Sequence, residues 1–328
     1  MVAIASFTKM SPEQGARILQ EGGLVAFPTE TVYGLGADAF NPLAVARIFE
    51  VKGRPLFDPL IVHISRIDEM ERIACVDTPL ALKLADAFWP GPLTLVIPKR
   101  DIIPDIVTAG LPTVAIRMPA HPVALQLIQL AQRPIAAPSA NLFGRISPTT
   151  ARHVYNQLGD RIDGILEGGP CRIGIESTIV SLADPTQPEV LRAGGISVEE
   201  IERVIGSVHV PDQKTGPVQA PGMLPHHYAP RTPVRIQSHN SVSPCQEDGL
   251  RIGFLAFRSP LNTSRYKLVE VLSKKGDMQE AAANLFAALH RLDEAGLDLI
   301  LAEPLPKLGL GLAIMDRLER ASNKRGEK

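Results

Sequence analysis

The chain has 328 residues, of which 45% are apolar and 21% are charged, and its formal charge is -1. This balance is typical of a folded globular protein, and it excludes both a disordered chain and one that attracts nucleic acid through its overall charge. The length exceeds the ~250 to 300 residues at which a single core usually stops growing, so we expect two domains.

Residues 1–207 alternate short apolar runs with longer amphipathic ones. The apolar runs predict strands, because Pro, Gly or polar residues bound them; they are "GLVAF", "PLIVHI", "LTLVIP", "TVAIRM", "PIAAPS", "STIVSL" and "EVLRAG". The runs between them space apolar residues by three and four, which predicts helices. Asn41 and Ser147, each followed by Pro, are predicted N-caps of two of these helices. We therefore predict an α/β domain with a twisted mixed sheet.

Residues 208–232 are rich in proline and show neither periodicity, so they predict a linker. Its "HHYAP" sequence places Tyr228 beside two histidines, His226 and His227. We interpret the linker as a lid over the active site, and the alternative is a semi-rigid spacer. The two histidines have no third metal ligand at suitable spacing, so we expect them to be solvated.

Residues 233–328 show a second, smaller alternation of apolar and amphipathic runs. It predicts a compact Rossmann-like α/β domain. No G-x-G-x-x-G sequence follows a predicted strand, so dinucleotide binding in this domain is only weakly supported. No apolar run reaches membrane-spanning length and the first residues do not resemble a signal peptide, so we expect a cytoplasmic protein.

Polar or cationic residues occupy several predicted strand boundaries and the end of one helix. They are Lys52, Arg54, Arg117, Ser139, Asn141, Ser177 and Arg192. Ligands of open α/β sheets bind at strand ends, and cations that converge there are costly without an anion. A polyphosphate is the anion that this pattern favours, although no P-loop sequence is present. For Lys52 and Arg54, C-terminal helix capping is the alternative.

Nine segments resemble, in order and spacing, the YrdC-like family of L-threonylcarbamoyladenylate synthases in its long, two-domain form. They are "PTETVYGLG", "KGRPLFDPLIVH", "WPGPLTLV", "VAIRMP", "APSAN", "ESTIV", "LRAGGI", "HHYAP" and "GLGLAIMDRLERAS". The resemblance implies a nucleotidyltransferase that converts L-threonine, bicarbonate or CO2, and ATP into threonylcarbamoyl-AMP and pyrophosphate. This is the first step of threonylcarbamoyladenosine formation at position 37 of tRNAs that read codons beginning with A.

The resemblance also implies the site residues. The catalytic pair is Lys52 and Arg54, which we expect to be exposed in a concave basic crevice. The threonine site is implied to comprise Thr31, His63, Arg117, Ala137 and Ser177. The ATP site is implied to comprise Arg54, Asp58, Thr113, Ser139, Asn141, Ser147, Arg192 and Tyr228. Mg2+ is implied to accompany ATP with no protein metal site, and the product is implied to pass to the tRNA threonylcarbamoyl-transferase machinery, with weak or indirect tRNA contact.

Two other functions remain open from the sequence. One is an RNA-binding module that uses the basic concave surface, although aromatic residues for base stacking amount to only 5%. The other is a carbamoyl-phosphate-dependent transferase of the hydrogenase-maturation type, whose zinc-finger cysteines this chain lacks. Two residues also have structural alternatives: His63 as a buried core histidine, and Glu30 as a helix cap.

Overall fold

The computed structural model describes residues 10–211, 220–223, 227–237, 249–260 and 263–323. Within these ranges the chain forms an α/β structure with two sheets. Its α-helices are α1 (Pro12–Gln20), α2 (Pro42–Lys52), α3 (Met70–Ile73), α4 (Pro79–Phe88), α5 (Asp105–Thr108), α6 (Pro122–Ala131), α7 (Ala151–Leu158), α8 (Val198–Ile205), α9 (Met278–Glu294) and α10 (Leu310–Ser322). Its strands are β1 (Val25–Phe27), β2 (Gly34–Asp38), β3 (Ile61–His63), β4 (Leu93–Pro98), β5 (Thr113–Arg117), β6 (Ile135–Ala136), β7 (Gly164–Ile165), β8 (Thr178–Ser181), β9 (Glu189–Arg192), β10 (Val234–Ile236), β11 (Ile252–Ala256), β12 (Leu268–Val271) and β13 (Leu299–Ala302).

The larger sheet has, among the described residues, the strand order β7-β1-β2-β6-β3-β5-β4-β8-β9. Strands β3 and β5 run parallel, as do β4 and β8, whereas β4 and β5 run antiparallel. The register therefore brings the C-terminal ends of β3, β5 and β9 and the N-terminal end of β8 to one edge. The predicted mixed sheet is confirmed.

Strand β2 was not predicted, although it begins inside the "PTETVYGLG" sequence. Its residues are small and include two glycines, so the apolar pattern of a strand is weak. A Cβ atom on Gly36 would lie 2.7 Å from Ile135 Cγ2 and 2.9 Å from Phe27 Cε1. The glycine is therefore required for close packing of β2 against its neighbours.

One of the two predicted N-caps is confirmed. The Asn41 side chain accepts hydrogen bonds from the backbone of Leu43 and Ala44 at the start of α2. The prediction for Ser147 is wrong, because α7 begins only at Ala151 and its N-cap is Thr150.

The second sheet is parallel, with the order β10-β13-β11-β12. Helices α9 and α10 pack against each other, and α10 also contacts β10. A parallel sheet with crossover helices confirms the predicted Rossmann-like form. In the part of the chain described, no helix combines the length and apolar character needed to cross a membrane.

The two domains share an apolar core. Val32, Ile146 and Ile175 of the first domain belong to the same buried cluster as Phe286 of α9. A Cβ atom on Gly174 would lie only 2.4 Å from the backbone oxygen of Ala283, so the first domain rests directly on the backbone of α9. The second domain is thus packed against the segment that precedes β8.

Candidate active site

A cavity with about 500 Å³ of empty space, its open mouth included, lies at the edge of the larger sheet where the strand ends meet. Its lining comes from strand ends, the loop after β1 and the linker, and comprises Thr29, Thr31, Val32, Gly34, Arg54, Ile61, His63, Arg117, Ala137, Pro138, Ser139, Glu176, Ser177, Arg192, Pro221, Gly222, His227 and Tyr228. The predicted convergence of polar strand ends is confirmed.

Most of the predicted site residues lie on this wall. Those on the wall are Thr31, Arg54, His63, Arg117, Ala137, Ser139, Ser177, Arg192 and Tyr228. Those that are not on the wall are Lys52, Asp58, Thr113, Asn141 and Ser147.

Arg117 forms a buried ion pair with Glu30, with 2.5 Å between Nη2 and Oε1. The other Glu30 oxygen accepts a hydrogen bond from the backbone N–H of Ala120 at 3.0 Å. Glu30 therefore orients Arg117 and does not cap a helix N-terminus.

Arg54 is held by the segment that follows it. Its Nε donates to the backbone oxygen of Asp58 at 3.1 Å, and its Nη2 donates to the backbone oxygen of Pro59 at 2.9 Å. The Asp58 carboxylate lies 2.8 Å from Nη2, as an ion pair that is almost fully buried. Burial raises the pKa of Asp58, whereas the nearby Arg54 lowers it. Asp58 thus acts on the cavity through Arg54.

Arg192 carries a buried positive charge without an ion-pair partner among the described residues. It is 3% exposed, and its guanidinium donates to Ser177 O, Ser177 Oγ and Pro221 O at 2.9 to 3.1 Å. These acceptors are neutral, and burial lowers the pKa of Arg192. A buried cation whose hydrogen-bond acceptors are all neutral favours the binding of an anion.

The expectation that Lys52 and Arg54 are exposed is wrong. Lys52 is 2% exposed, and its ammonium group donates to the backbone oxygens of Ser139 and Asn141. Burial lowers the pKa of Lys52 well below its usual value, and Arg54 lowers it further. Helix α2 ends at Lys52, so the last turn of the helix supports the loop after β6 on the side away from the cavity. Arg54, which is 6% exposed, lines the cavity itself.

Asn141 and Thr113 also lie off the wall. The Asn141 amide donates to the backbone oxygens of Leu142 and Arg145 and stabilises the loop after β6. Thr113 begins β5, four residues before Arg117 at the other end of the strand. The register pairs Ala115 with Ile61, the first residue of β3. Thr113 therefore lies beside the segment that precedes β3, which contains Asp58.

The two threonines of the "PTET" sequence are hydrogen-bonded to each other, with 2.8 Å between their Oγ1 atoms. Thr29 Oγ1 also donates to the backbone oxygen of Val32 at 2.6 Å. A hydroxyl has one proton, so the proton of the Thr29–Thr31 bond must come from Thr31. Thr31 therefore presents oxygen lone pairs to the cavity. Thr29 was not predicted as a site residue, although its position two residues before Thr31 was available as a signal.

His63 is both a buried histidine and a cavity residue. It is 3% exposed, and no hydrogen-bond partner of its Nδ1 atom lies among the residues that the structure describes. Burial lowers its pKa to about 3, and the charge of Arg117 acts in the same direction. His63 is therefore neutral at physiological pH.

The described part of the linker contributes to the wall through Pro221, Gly222, His227 and Tyr228. Residues 212–219 and 224–226, and with them His226, lie outside the described residues. The expectation of a solvated His227 is wrong, because it is 6% exposed and its ring contacts those of Phe143 and Tyr228. The lid interpretation itself stays a prediction.

Tyr228 is fully buried, and its backbone has a left-handed φ of 64°. Burial raises its pKa to about 12, and within the described part of the chain its Oη atom has no hydrogen-bond partner. A buried hydroxyl without a partner is uncommon and indicates a place for a bound water or ligand oxygen.

Glu176 was not predicted, although it directly precedes Ser177 in "ESTIV". Its Oε1 accepts from Ser147 Oγ at 2.6 Å, and its Oε2 accepts from Arg317 Nε at 3.1 Å. Ser147 therefore reaches the cavity wall only through Glu176. Arg317 comes from α10 of the second domain; it lies in the segment "GLGLAIMDRLERAS", which carries part of the family resemblance, but it was not predicted as a site residue.

Two family models match the chain in succession. The first, described as "Telomere recombination" and named for Sua5, YciO and YrdC, matches residues 17–194. The second, described as "Threonylcarbamoyl-AMP synthase, C-terminal domain", matches residues 196–323.

Relatives of similar length and a solved structure agree with these models. The threonylcarbamoyl-AMP synthase of Bacillus subtilis is 47% identical, over 95% of this chain and 93% of the relative. That of Pyrococcus abyssi is 46% identical, over 94% and 93%. The crystal structure of P. abyssi Sua5 complexed with L-threonine is 44% identical, with a TM-score of 0.87 over 95% of this chain and 94% of that one.

Full-length HypF is similar in fold alone, at 19% identity and a TM-score of 0.51 over 58% of this chain. The match covers only 30% of the HypF chain, so a function as a hydrogenase-maturation enzyme is not supported. Since the matches to the synthases extend over both domains, the chain belongs to the YrdC-like family of threonylcarbamoyl-AMP synthases, in its two-domain form.

Proposed function

We propose that the protein synthesises L-threonylcarbamoyladenylate from L-threonine, bicarbonate or CO2, and ATP, with release of pyrophosphate. The observation that carries this proposal is the cavity in which three buried arginines face hydroxyl groups. The enclosing fold resembles, over almost its whole length, a Sua5 protein complexed with L-threonine. The enzyme would be a nucleotidyltransferase whose product enters threonylcarbamoyladenosine formation at position 37 of tRNA.

The threonine half of the site is proposed to comprise Thr31, His63, Arg117, Ala137 and Ser177. Arg117, oriented by Glu30, would bind the substrate carboxylate. Thr31 presents lone pairs to the cavity because its proton is directed to Thr29, so it would accept a hydrogen bond from the substrate amine or hydroxyl. Neutral His63 adds a polar group without adding positive charge.

The nucleotide half is proposed to comprise Arg54, Ser139, Arg192 and Tyr228 on the wall, supported from behind by Lys52, Asp58, Asn141 and Ser147, with Thr113 at its outer end. Arg192 has the strongest case, because among the described residues it has no carboxylate partner. Its planar guanidinium can bind two phosphate oxygens at once. Tyr228 Oη would supply a donor to a further oxygen.

In the proposed reaction the threonine amine adds to CO2, and a carbamate oxygen attacks the α-phosphorus of ATP while pyrophosphate leaves. The protein supplies no nucleophile. Its contribution is alignment, for which effective molarities reach roughly 10^5 M or more, together with stabilisation of charge on the phosphates. Arg54 and Arg192, both on the cavity wall, would provide that stabilisation.

We propose that Mg2+ enters with ATP. Over the residues described, no group of three or more His, Cys, Asp or Glu side chains could hold a metal ion. Glu176, the carboxylate on the described wall, is already paired with Arg317 and Ser147. The wall residues are therefore compatible with a Mg2+ ion that is held by phosphate oxygens and water. Such an ion would neutralise charge on the triphosphate.

The RNA-binding module that the sequence left open as an alternative is not supported. The net charge of -1 does not favour it, and the relatives' names support the synthase. We propose that tRNA contact is weak or indirect, and that the product passes in the cytoplasm to the tRNA threonylcarbamoyl-transferase machinery.

The proposal is tested by measuring pyrophosphate release from ATP with and without L-threonine and bicarbonate. We expect release only when both are present. Arg192→Met should abolish most of it, whereas Arg66→Met should not, because Arg66 is an exposed arginine paired with Asp68. Pyrophosphate release that is independent of threonine, or no release at all, would reject the proposed reaction.

A further inference from the structure

Arg317 of α10, in the second domain, contacts two residues of the cavity wall, Glu176 and Tyr228. It is 0% exposed and belongs to the largest fully buried side chains of the described chain. Its Nε donates to Glu176 Oε2 at 3.1 Å, and its Nη1 donates to the backbone oxygen of Ala193 at 2.5 Å. Its guanidinium carbon also lies 5.6 Å from the centre of the Tyr228 ring.

These three contacts surround the nucleotide half of the site. Glu176 and Ala193 are the chain neighbours of Ser177 and Arg192, and these two are joined by hydrogen bonds. Tyr228 itself is on the cavity wall. Arg317 therefore contacts the three segments that carry Arg192, Tyr228 and Glu176.

The threonine half has a separate support. Arg117 is oriented by Glu30, and Thr31 by Thr29. No contact described for Arg317 reaches these residues. A displacement of Arg317 should therefore affect one half of the cavity and not the other.

The domain interface makes this support rigid. The segment before Glu176 is seated on the backbone of α9 at Gly174, and Ile175 is 0% exposed in the shared apolar core. Tyr228 packs on Phe286 of α9 with 5.4 Å between ring centres. Since packed interiors resist deformation, the position of α10 fixes the position of the guanidinium.

A charged residue at position 317, inside the domain interface, reduces the stability that apolar packing would give. A buried ion pair is often no more stable than apolar residues of the same volume, because both charges lose their hydration. Stability alone therefore does not account for an arginine at this place. The guanidinium of an arginine is planar, so its hydrogen-bond donors point in fixed directions. Two of these donors orient the Glu176 carboxylate and the Ala193 carbonyl relative to each other.

We propose that Arg317 is a positioning residue for nucleotide binding, through which the second domain orders Arg192, Glu176 and Tyr228 around the phosphates. This inference rests on the proposed function. It gives the second domain a role in the reaction without placing any of its atoms on the substrate.

The test compares Arg317→Met and Arg317→Lys with the full-length wild type and with Arg291→Met. Arg291 is the matched control, because it is a partly exposed arginine of α9 in an ion pair with Glu270. Three quantities are measured: the dissociation constant of α,β-methylene-ATP by calorimetry, the KM for ATP and the KM for L-threonine. The thermal unfolding temperature is recorded for each variant.

We expect Arg317→Met to weaken binding of the ATP analogue by about tenfold or more, because small displacements of positioned groups are costly. The KM for threonine should change less than about twofold. Arg317→Lys should recover part of the loss, since an ammonium can still pair with Glu176, and it serves as the second variant if Arg317→Met does not fold. Arg291→Met should match the wild type.

The outcomes separate the two proposals. Equal analogue binding by wild type and both Arg317 variants, or an equal rise of both KM values, overturns the role of Arg317. Wild type that binds the analogue but releases no pyrophosphate overturns the proposed reaction, while the comparison of analogue binding still decides on Arg317. Wild type that does not bind the analogue overturns both.

Discussion

Arg117 and Glu30 form a buried ion pair behind the threonine half of the cavity, and both side chains are at most 4% exposed. The carboxylate is fixed on its other side by the backbone of Ala120. Because two contacts fix the carboxylate, it holds the guanidinium in one orientation before any substrate binds. Such preorganisation reduces the entropic cost of binding.

The pair allows structural and substrate roles of Arg117 to be separated. Arg117→Met leaves Glu30 buried and uncompensated, so we expect a loss of about 3–5 kcal/mol in the free energy of unfolding. The KM for threonine should rise by about tenfold or more. The double variant Arg117→Met, Glu30→Gln should regain most of the stability but not the threonine affinity. Urea unfolding and the pyrophosphate assay measure these effects. Recovery of both quantities would show that Arg117 does not bind the substrate.

Lys52 should act through the loop that it supports. Lys52→Met leaves the Ser139 and Asn141 carbonyls without their donor, and we expect a loss of about 1–3 kcal/mol for each unsatisfied group. The KM for ATP should rise, because Ser139 is on the wall. Lys83→Met on the exposed side of α4 is the control. Unchanged stability with lost activity would instead favour direct phosphate contact by Lys52.

The comparison of Lys52 with Arg54 shows what sequence could and could not predict. The sequence "VKGRP" predicted that the helix ends here, next to two cations and a glycine, and the structure confirms the helix end at Lys52. The burial of each side chain could not be predicted from the sequence. It depends on how the last turn of α2 packs against the loop after β6, which lies far away in the chain. The same limit applies to Arg317, which only the docking of the second domain buries.

His63 should make stability depend on pH. Its pKa is lowered to about 3 by burial and by Arg117, against about 6.5 in an unfolded chain. The folded state thus binds the proton more weakly, so the stabilisation is complete above about pH 6.5 and is lost as the pH falls toward 3.

We therefore expect His63→Gln to reduce the dependence of the unfolding free energy on pH, between about pH 6 and 4, by about 1.4 kcal/mol per pH unit. Chemical denaturation at several pH values gives the slope. His209→Gln, at an exposed position, should leave it unchanged. A slope in His63→Gln equal to that of the wild type would contradict the burial of a neutral imidazole.

Serine should be a poor but measurable substrate. Ala137 and Ile61 are apolar residues of the cavity wall that could contact the threonine methyl group, and the loss of one methyl contact is worth about 1–3 kcal/mol. We therefore expect kcat/KM for serine to be lower by about 10- to 200-fold. Competition between the two amino acids in the pyrophosphate assay measures the ratio. Equal efficiency would reject a methyl pocket.

Gly222 tests whether the linker shapes the nucleotide half of the site. Its φ is 82°, and a Cβ atom there would lie 3.0 Å from Tyr228 Oη and 3.2 Å from Arg192 Nη1. Gly222→Ala should therefore displace the phenol or the guanidinium by a few tenths of an ångström. We expect the KM for ATP to rise by about threefold or more, with little change in the KM for threonine.

Gly206 provides the matched control, because it has the same φ of 82° and no atom within 4 Å of a built Cβ. Gly206→Ala should carry backbone strain of about 1–3 kcal/mol, because φ 82° with ψ −163° is a conformation that only glycine adopts readily, without any effect on the cavity. The two variants are compared by thermal unfolding and by the KM for each substrate. If both lower stability alike and neither changes the KM for ATP, the linker does not position the nucleotide and acts as a spacer between the domains.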